Sequence, residues 1–381
     1  MLLELAPDQE VLREATARFL ADRVPPEVIR RLREDPAGFS PDYWSAGAEL
    51  GWTSLLVSEE HGGGSISGGP LVDLSILAHE FGARAVPGPL ASANVVAFAL
   101  STWGGEAHAA TLEAVLSGES LATCALGEPA TPGEPAGVTV QVRADGGDVV
   151  LDGTARPVES AAQAAHLLVT AAVAGTAGFA QLLVPTTAAG VTITPMRTVD
   201  LTRRFFAVQL DGVRLPAEAA VGEFGDAGEQ VERQLQVALA LGCAETVGAM
   251  QTAFDLTVKW AFERYSFGRP LASYQELKHR FADMKTWLEA SHAITDKAVA
   301  AVDAGAPEAA ELVSAAKAYI GDYGTELAQD CVQIHGGIGV TFEHDMHFFL
   351  RRVTLNRALY GTPASHRARV TGIFENLKEQ A

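Results

Sequence analysis

A carboxylate set in an apolar helix is a candidate for moving a proton, and residues 229–264 carry one. Val231, Leu235, Ala238, Gly242, Glu245, Ala249 and Thr252 recur at helical spacing along one stripe. Residues 239–250 are apolar almost all round apart from Glu245 and Thr246. Burial disfavours an ionised carboxylate by roughly several kcal/mol, and a pKa raised in that way suits a general base. The same surroundings suit a structural glutamate paired with an arginine or hydrogen-bonded across a bundle. The stripe alone leaves both roles open.

A second set of residues suits a dinucleotide. Arg264 can give forked hydrogen bonds to phosphate. Phe267 can cover an apolar face, and Gln275 and Gln333 offer neutral donors and acceptors. Gly336 and Gly337 let backbone N–H groups come close to a ligand where a side chain would block them. The alternative is that Arg264 is a helix-end cation and the glycines serve a tight interhelical turn. His335, between Gln333 and the glycine pair, would touch either a cofactor or a neighbouring helix. His344, His347, Arg351 and Arg352 read as a solvated or interfacial charged helix rather than a metal site, because their spacing is loose.

These residues need a scaffold, and the apolar periodicity supplies one in three parts. Residues 8–23, 41–50, 71–85, 89–100 and 107–116 read as helices, with Pro25-Pro26 ending the first. From residue 121 to about 222 the pattern shortens. Residues 138–142, 149–151, 167–172, 179–184, 191–194 and 205–210 read as strands, separated by turn signals such as Asp145-Gly146-Gly147 and Asp211-Gly212. Residues 229–264, 275–304, 307–330 and 363–378 are helical again. The expected domains are 1–120, 121–226 and 227–381.

Four local sequences, in order along most of the chain, resemble the acyl-CoA dehydrogenase family. They are Glu49-Leu50-Gly51-Trp52 with Val57 to Gly64, then Asp211-Gly212-Val213-Arg214-Leu215-Pro216. Arg264-Tyr265-Ser266-Phe267-Gly268-Arg269-Pro270 follows, with Gln275 and Ala282-Asp283-Met284. The last is Gln333-Ile334-His335-Gly336-Gly337-Ile338-Gly339. The resemblance implies an α+β multidomain fold: an N-terminal α-helical domain, a central antiparallel β domain and a C-terminal four-helix bundle. It also implies an FAD cofactor bound between subunits, and oxidation of an acyl-CoA to the 2,3-enoyl-CoA by a carboxylate base and hydride transfer to flavin. Under it, Arg264, Phe267, Gln275, Gln333, Gly336 and Gly337 hold the adenosine and pyrophosphate half of an FAD whose ring lies in the neighbouring subunit.

The chain departs from that pattern where the ring and the base belong. Gly127-Glu128-Pro129 stands where the family has Thr-Glu-Pro, and residues 130–134 replace a Gly-Ser-Asp-like turn. Pro157 and Glu159 occupy the positions of a Trp and a Thr beside the flavin, and proline offers neither an aromatic wall nor an N–H. Tyr360 occupies the position of the base glutamate, and a phenol with an ordinary pKa of about 10 is a poor base at neutral pH. The alternative base position, on the long helix, is Ala238. These departures resemble the partner subunits of heterotetrameric acyl-CoA dehydrogenases from actinobacterial steroid side-chain degradation. Three arrangements stay open: an α2β2 assembly sharing composite FAD sites with a homologous partner, a self-sufficient homo-oligomer with Glu245 as base, and a structural or regulatory subunit without cofactor.

Composition narrows the remaining classes. A net charge of −19 repels phosphate and argues against a nucleic-acid partner. Cys124, Cys243 and Cys331 are far apart with no C-x-x-C pair, so buried small hydrophobes are expected rather than a disulfide framework or zinc site. Residues 1–10 carry charge and a proline and have no signal-peptide core, and no long uncharged run reads as a membrane span. The expected location is cytoplasmic.

Overall fold

The computed structural model describes residues 5–131 and 134–380; Pro132 and Gly133, within the altered turn, lie outside the described residues. Six helices come first: α1 (Pro7–Arg23), α2 (Pro26–Leu32), α3 (Pro41–Glu49), α4 (Pro70–Arg84), α5 (Leu90–Trp103) and α6 (Ala109–Leu116). Prolines stand in the first turn of α1 to α4, where a missing N–H costs nothing. Pro26 therefore not only ends one helix but starts another, α2, which the sequence reading did not foresee. Trp52, fully buried, is ringed by Phe19, Tyr43, Trp44 and Phe81 and ties α1, α3 and α4 together.

The strands are β1 (Ala122–Ala125), β2 (Glu128–Thr131), β3 (Glu134–Ala136), β4 (Val140–Asp145), β5 (Asp148–Glu159), β6 (His166–Val173), β7 (Phe179–Pro185), β8 (Val191–Met196) and β9 (Phe205–Pro216). Seven form one sheet in the order β1-β6-β4-β5-β9-β8, with β7 also on β6. The sheet is mixed rather than wholly antiparallel, since β1 and β4 both run parallel to β6. Periodicity shows strand faces but not pairing partners, so these crossings were not readable from the sequence. The β5–β9 ladder shifts register between Ala155 and Val158, around Pro157, which has no N–H to donate.

The remaining helices are α7 (Gly228–Glu263), α8 (Gln275–Asp303), α9 (Ala309–His335), α10 (Met346–Ala358) and α11 (Pro363–Gln380). They form a bundle in which α7, α8, α10 and α11 all lie against α9. Helix α7 is long and apolar enough to cross a membrane, yet 78% of its most apolar window is buried inside the protein, as befits a core helix. Helices α4 and α7 cross at very short range through glycines. A Cβ on Gly82 would sit 1.7 Å from the Glu245 carbonyl oxygen, and one on Gly248 would sit 2.0 Å from that of His79. The sheet is fastened to α7 by three buried glutamines: Gln230 and Gln234 donate to Gln181 of β7 at 2.6 and 2.8 Å. One continuous apolar core runs through all three parts, and the three cysteines are free and buried within it.

Candidate active site and cofactor-binding end

Helix α7 ends where α8 begins and α9 ends. The Trp260 and His335 rings stack at 5.3 Å, and Arg280 Nε reaches Asp330 at 2.5 Å. Arg264, Phe267, Gln275, Gln333, Gly336 and Gly337 are thereby gathered at one end of the bundle. Each of them is exposed. Arg264 caps α7, and among the described residues its side chain has no ion-pair or hydrogen-bond partner. A two-stranded hairpin, Tyr265–Ser266 with Arg269–Pro270, follows it. Tyr274 Oη donates to the Ser266 carbonyl at 2.7 Å and the Arg269 guanidinium lies 3.9 Å over the Tyr274 ring, so the hairpin is braced.

At its tip Phe267 has a φ of +49° and is 97% exposed. The braced tip thus holds a whole phenyl ring out in water on a left-handed backbone, an arrangement uncommon for a large apolar side chain. The glycine pair points the same way. Gly336 has a φ of +68°, which explains glycine there. Gly337 has no such φ, and a Cβ on it would meet nothing within 4 Å. Among the described residues nothing calls for glycine at 337, and its backbone is left open to approach from outside. His335 is turned inward: it is buried, its Nδ1 lies 2.8 Å from the Cys331 carbonyl oxygen, and burial pulls its pKa below the usual histidine range.

Glu245 sits some way down α7, against α4, α10 and the loop before β9. Of the two roles the stripe left open, its surroundings are those of a paired carboxylate. Oε1 accepts from Arg352 Nη1 at 2.7 Å, and Oε2 accepts from Arg203 Nη1 at 3.2 Å and from Asn356 Nδ2 at 2.8 Å. Both oxygens are committed to cationic or amide donors, which is the structural partnership left open in the sequence.

The two arginines extend the network on either side. Arg203 Nε and Nη2 donate to Glu159 at 2.5 and 2.7 Å. Arg352, fully buried, donates to Asp200 at 2.5 Å, Thr202 Oγ1 at 2.6 Å and the Val86 carbonyl at 2.9 Å. Burial alone would raise the Asp200 carboxyl, but Arg352 and the Thr202 N–H hold it below the usual range. Burial would likewise lower the Arg203 guanidinium, yet Glu159 and Glu245 raise it. This corrects the reading of residues 342–352 as a solvated or interfacial charged helix: His347 and Arg352 of α10 are buried, and Arg352 is the hub of an internal ion network. Among the described residues no group of three or more His, Cys, Asp or Glu comes together as a metal site.

Tyr360 stands in the turn after α10 with a φ of +55°. Burial, then Cys124 and Glu159, push its phenol well above the ordinary tyrosine range, which makes it a still poorer base at neutral pH. With Cys124, Thr139, Pro157, Glu159 and Arg203 it lines a cleft of about 110 Å³ between the sheet and α10. Pockets that take whole cofactors are roughly 300–1,000 Å³, so this cleft is narrow by comparison. The sequence flagged Pro157, Glu159 and Tyr360; it missed Arg203, Asp200, Asn356 and the role of Arg352. The signal for Arg203 was available, as an arginine pair following Asp200-Leu201-Thr202 at the start of an otherwise apolar strand.

Two sequence models match this arrangement of parts. The acyl-CoA dehydrogenase N-terminal domain matches residues 6–119 and the acyl-CoA dehydrogenase C-terminal domain matches residues 228–372. The chain belongs to the acyl-CoA dehydrogenase family. Acyl-CoA dehydrogenase IpdE2 of Mycolicibacterium smegmatis is 26% identical over 360 residues, covering 94% of this chain and 96% of the relative. A variant of the Tcur3481-Tcur3483 steroid ACAD is 25% identical with a TM-score of 0.86, covering 98% of this chain and 99% of that one. The ChsE4-ChsE5 complex of Mycobacterium tuberculosis contains a chain of the same fold, with a TM-score of 0.87 at 21% identity and 98% and 99% coverage. The fold of a helical domain, a β domain and a helix bundle is thus that of the family.

Proposed function

We propose that this chain is a cytoplasmic subunit of an FAD-dependent acyl-CoA dehydrogenase that shares composite FAD sites with a homologous partner subunit in an α2β2 assembly. The reaction is oxidation of an acyl-CoA to the 2,3-enoyl-CoA, with a steroid side-chain thioester as the favoured substrate class, in keeping with the steroid ACAD relative. The observation that carries the reading is a mismatch between the chain's two ends of one cofactor. Its nucleotide-end residues are complete, exposed and without side-chain hydrogen-bond or ion-pair partners among the described residues, whereas its own ring cleft is small and bordered by a buried ion pair.

In this reading Arg264 donates to the pyrophosphate, and Phe267 covers an apolar face of the cofactor held mainly by the partner. Gln275 and Gln333 meet the polar edges of the adenosine half, and Gly336 and Gly337 bring backbone N–H groups to phosphate. Bound FAD would supply a two-electron acceptor. The partner provides the wall for the ring and the carboxylate that takes the α-proton, since Tyr360 and Ala238 cannot and the oxygens of Glu245 are already occupied. The arrangement is tested by co-expression with a homologous partner subunit. The co-purified complex should be yellow and oxidise acyl-CoA, while this chain purified alone should be colourless. A lone chain that holds stoichiometric FAD and turns over acyl-CoA overturns the reading.

A further inference from the structure

Two cavities meet at one side chain. The cleft beside Tyr360 is lined in part by Arg203, and so is a second cavity on the helical side, formed by Ala78, Phe81, Gly88, Leu90, Ala91, Leu241 and Glu245. The second holds only about 10 Å³ of free space. Apart from Glu245 and Arg203 its lining is apolar and mostly small, a lining that suits a hydrocarbon tail and not a guanidinium. Yet a guanidinium lies there, 7% exposed, held at one end by Glu159 and at the other by Glu245 and Asn356. Ser92 Oγ donates at 3.2 Å to Glu159 Oε2, the oxygen that also accepts from Arg203 Nη2.

We propose that Arg203 is a built-in plug that fills this chain's own acyl-tail channel. The side chain is the partition between the two cavities, and Glu159, at the position where the family places a flavin-facing threonine, is the residue that pins it. The inference rests on the composite-site reading and deepens it: substrate is confined to the partner's cleft because this one is already filled. The charge arrangement explains how the plug can be separated from the fold. Asp200, Glu245 and Glu159 face Arg352 and Arg203, so removing Glu159 and Arg203 together leaves the net charge of the network unchanged. Arg352 still bridges Asp200 and Glu245.

The test uses the co-purified complex and a non-reactive probe, S-octyl-CoA thioether, counted by titration calorimetry. The native complex should bind one probe per pair of unlike chains. Glu159→Ala/Arg203→Ala should add a second site, because the two cavities become one apolar channel. Glu159→Gln/Arg203→Met, which removes the charges but keeps the bulk, should remain at one. Two probes per pair in the native complex, no added site in a cooperatively melting alanine pair, or an added site in the Gln/Met pair would each overturn the proposal. A crystal of the native complex soaked with the probe gives a readout independent of any variant: an alkyl tail between Phe81 and Leu241 of this chain excludes the plug. These outcomes are separable from the composite-site reading, whose own test is where FAD is retained: in the complex, and not on this chain alone.

Discussion

Arg352→Met is the sharpest perturbation of the internal network. The methionine replaces most of the volume but removes donors to Asp200, Glu245, Thr202 and the Val86 carbonyl at once. Glu245 keeps Arg203 and Asn356. Asp200, 2% exposed, keeps only the Thr202 N–H and hydroxyl. Stranding one buried charge in this way costs about 3–5 kcal/mol. With an unfolding entropy near 2.1 cal/mol/K per residue, a chain of this length should lose roughly 4–6 °C in Tm. The pH dependence carries the mechanism. In the native chain Asp200 has a depressed pKa, so its stabilisation is complete above the ordinary carboxylate range and is lost as pH falls below it. In the variant burial acts without Arg352, so the carboxyl binds a proton in the folded state and the deficit against the native chain shrinks as pH falls. Asp200→Asn/Arg352→Met should recover a large part of the loss. Thermal melts of the three proteins from pH 8 to pH 5 decide the matter; a Tm within 1 °C of native at pH 8 would falsify the hub assignment.

Other sites give equally definite outcomes. Gly82→Ala should force α4 away from the Glu245 carbonyl and destabilise by about 1–3 kcal/mol or more, seen as a lower urea midpoint. A native midpoint would mean the helices do not cross this closely. His347 and His366 are each held down to about 4, chiefly by burial, so the unfolded chain binds more protons than the folded chain between their ordinary value and 4. Stability should therefore fall from pH 6.5 towards pH 4 by as much as about 1.4 kcal/mol per unit for each. His366→Gln should flatten that slope in denaturant titrations, and an unchanged slope would count against the burial argument. Arg264→Ala should leave the Tm of the lone chain untouched, because the exposed side chain has no hydrogen-bond or ion-pair partner among the described residues. The same change should weaken FAD retention by the co-purified complex at least tenfold by equilibrium dialysis, and unchanged retention would remove Arg264 from the cofactor.

The helices and strands were legible because each presents a single face to the core, and period and punctuation report faces. Helix α7 spans Gly228–Glu263 where its apolar stripe predicts 229–264. Helix α10 was read as a charged helix at the surface or an interface, because its sequence mixes His, Arg and Phe, and burial of Arg352 depends on acceptors from three distant segments. Glu245 illustrates the same limit. Its helical stripe correctly marks an unusual carboxylate, but its partners come from residues 42 positions before and 107 positions after it. A local pattern can show that a charge needs a partner without showing which one. The proposed cofactor-end residues were named for the opposite reason, since they lie in short local motifs whose chemistry does not depend on the rest of the fold.

Counting flavin against protein in the purified assembly tests the central claim most directly. Native mass spectrometry combined with absorbance near 450 nm should give one FAD for each pair of unlike chains, and none on this chain by itself. An FAD bound to every copy of this chain, with no second kind of subunit present, would contradict the account.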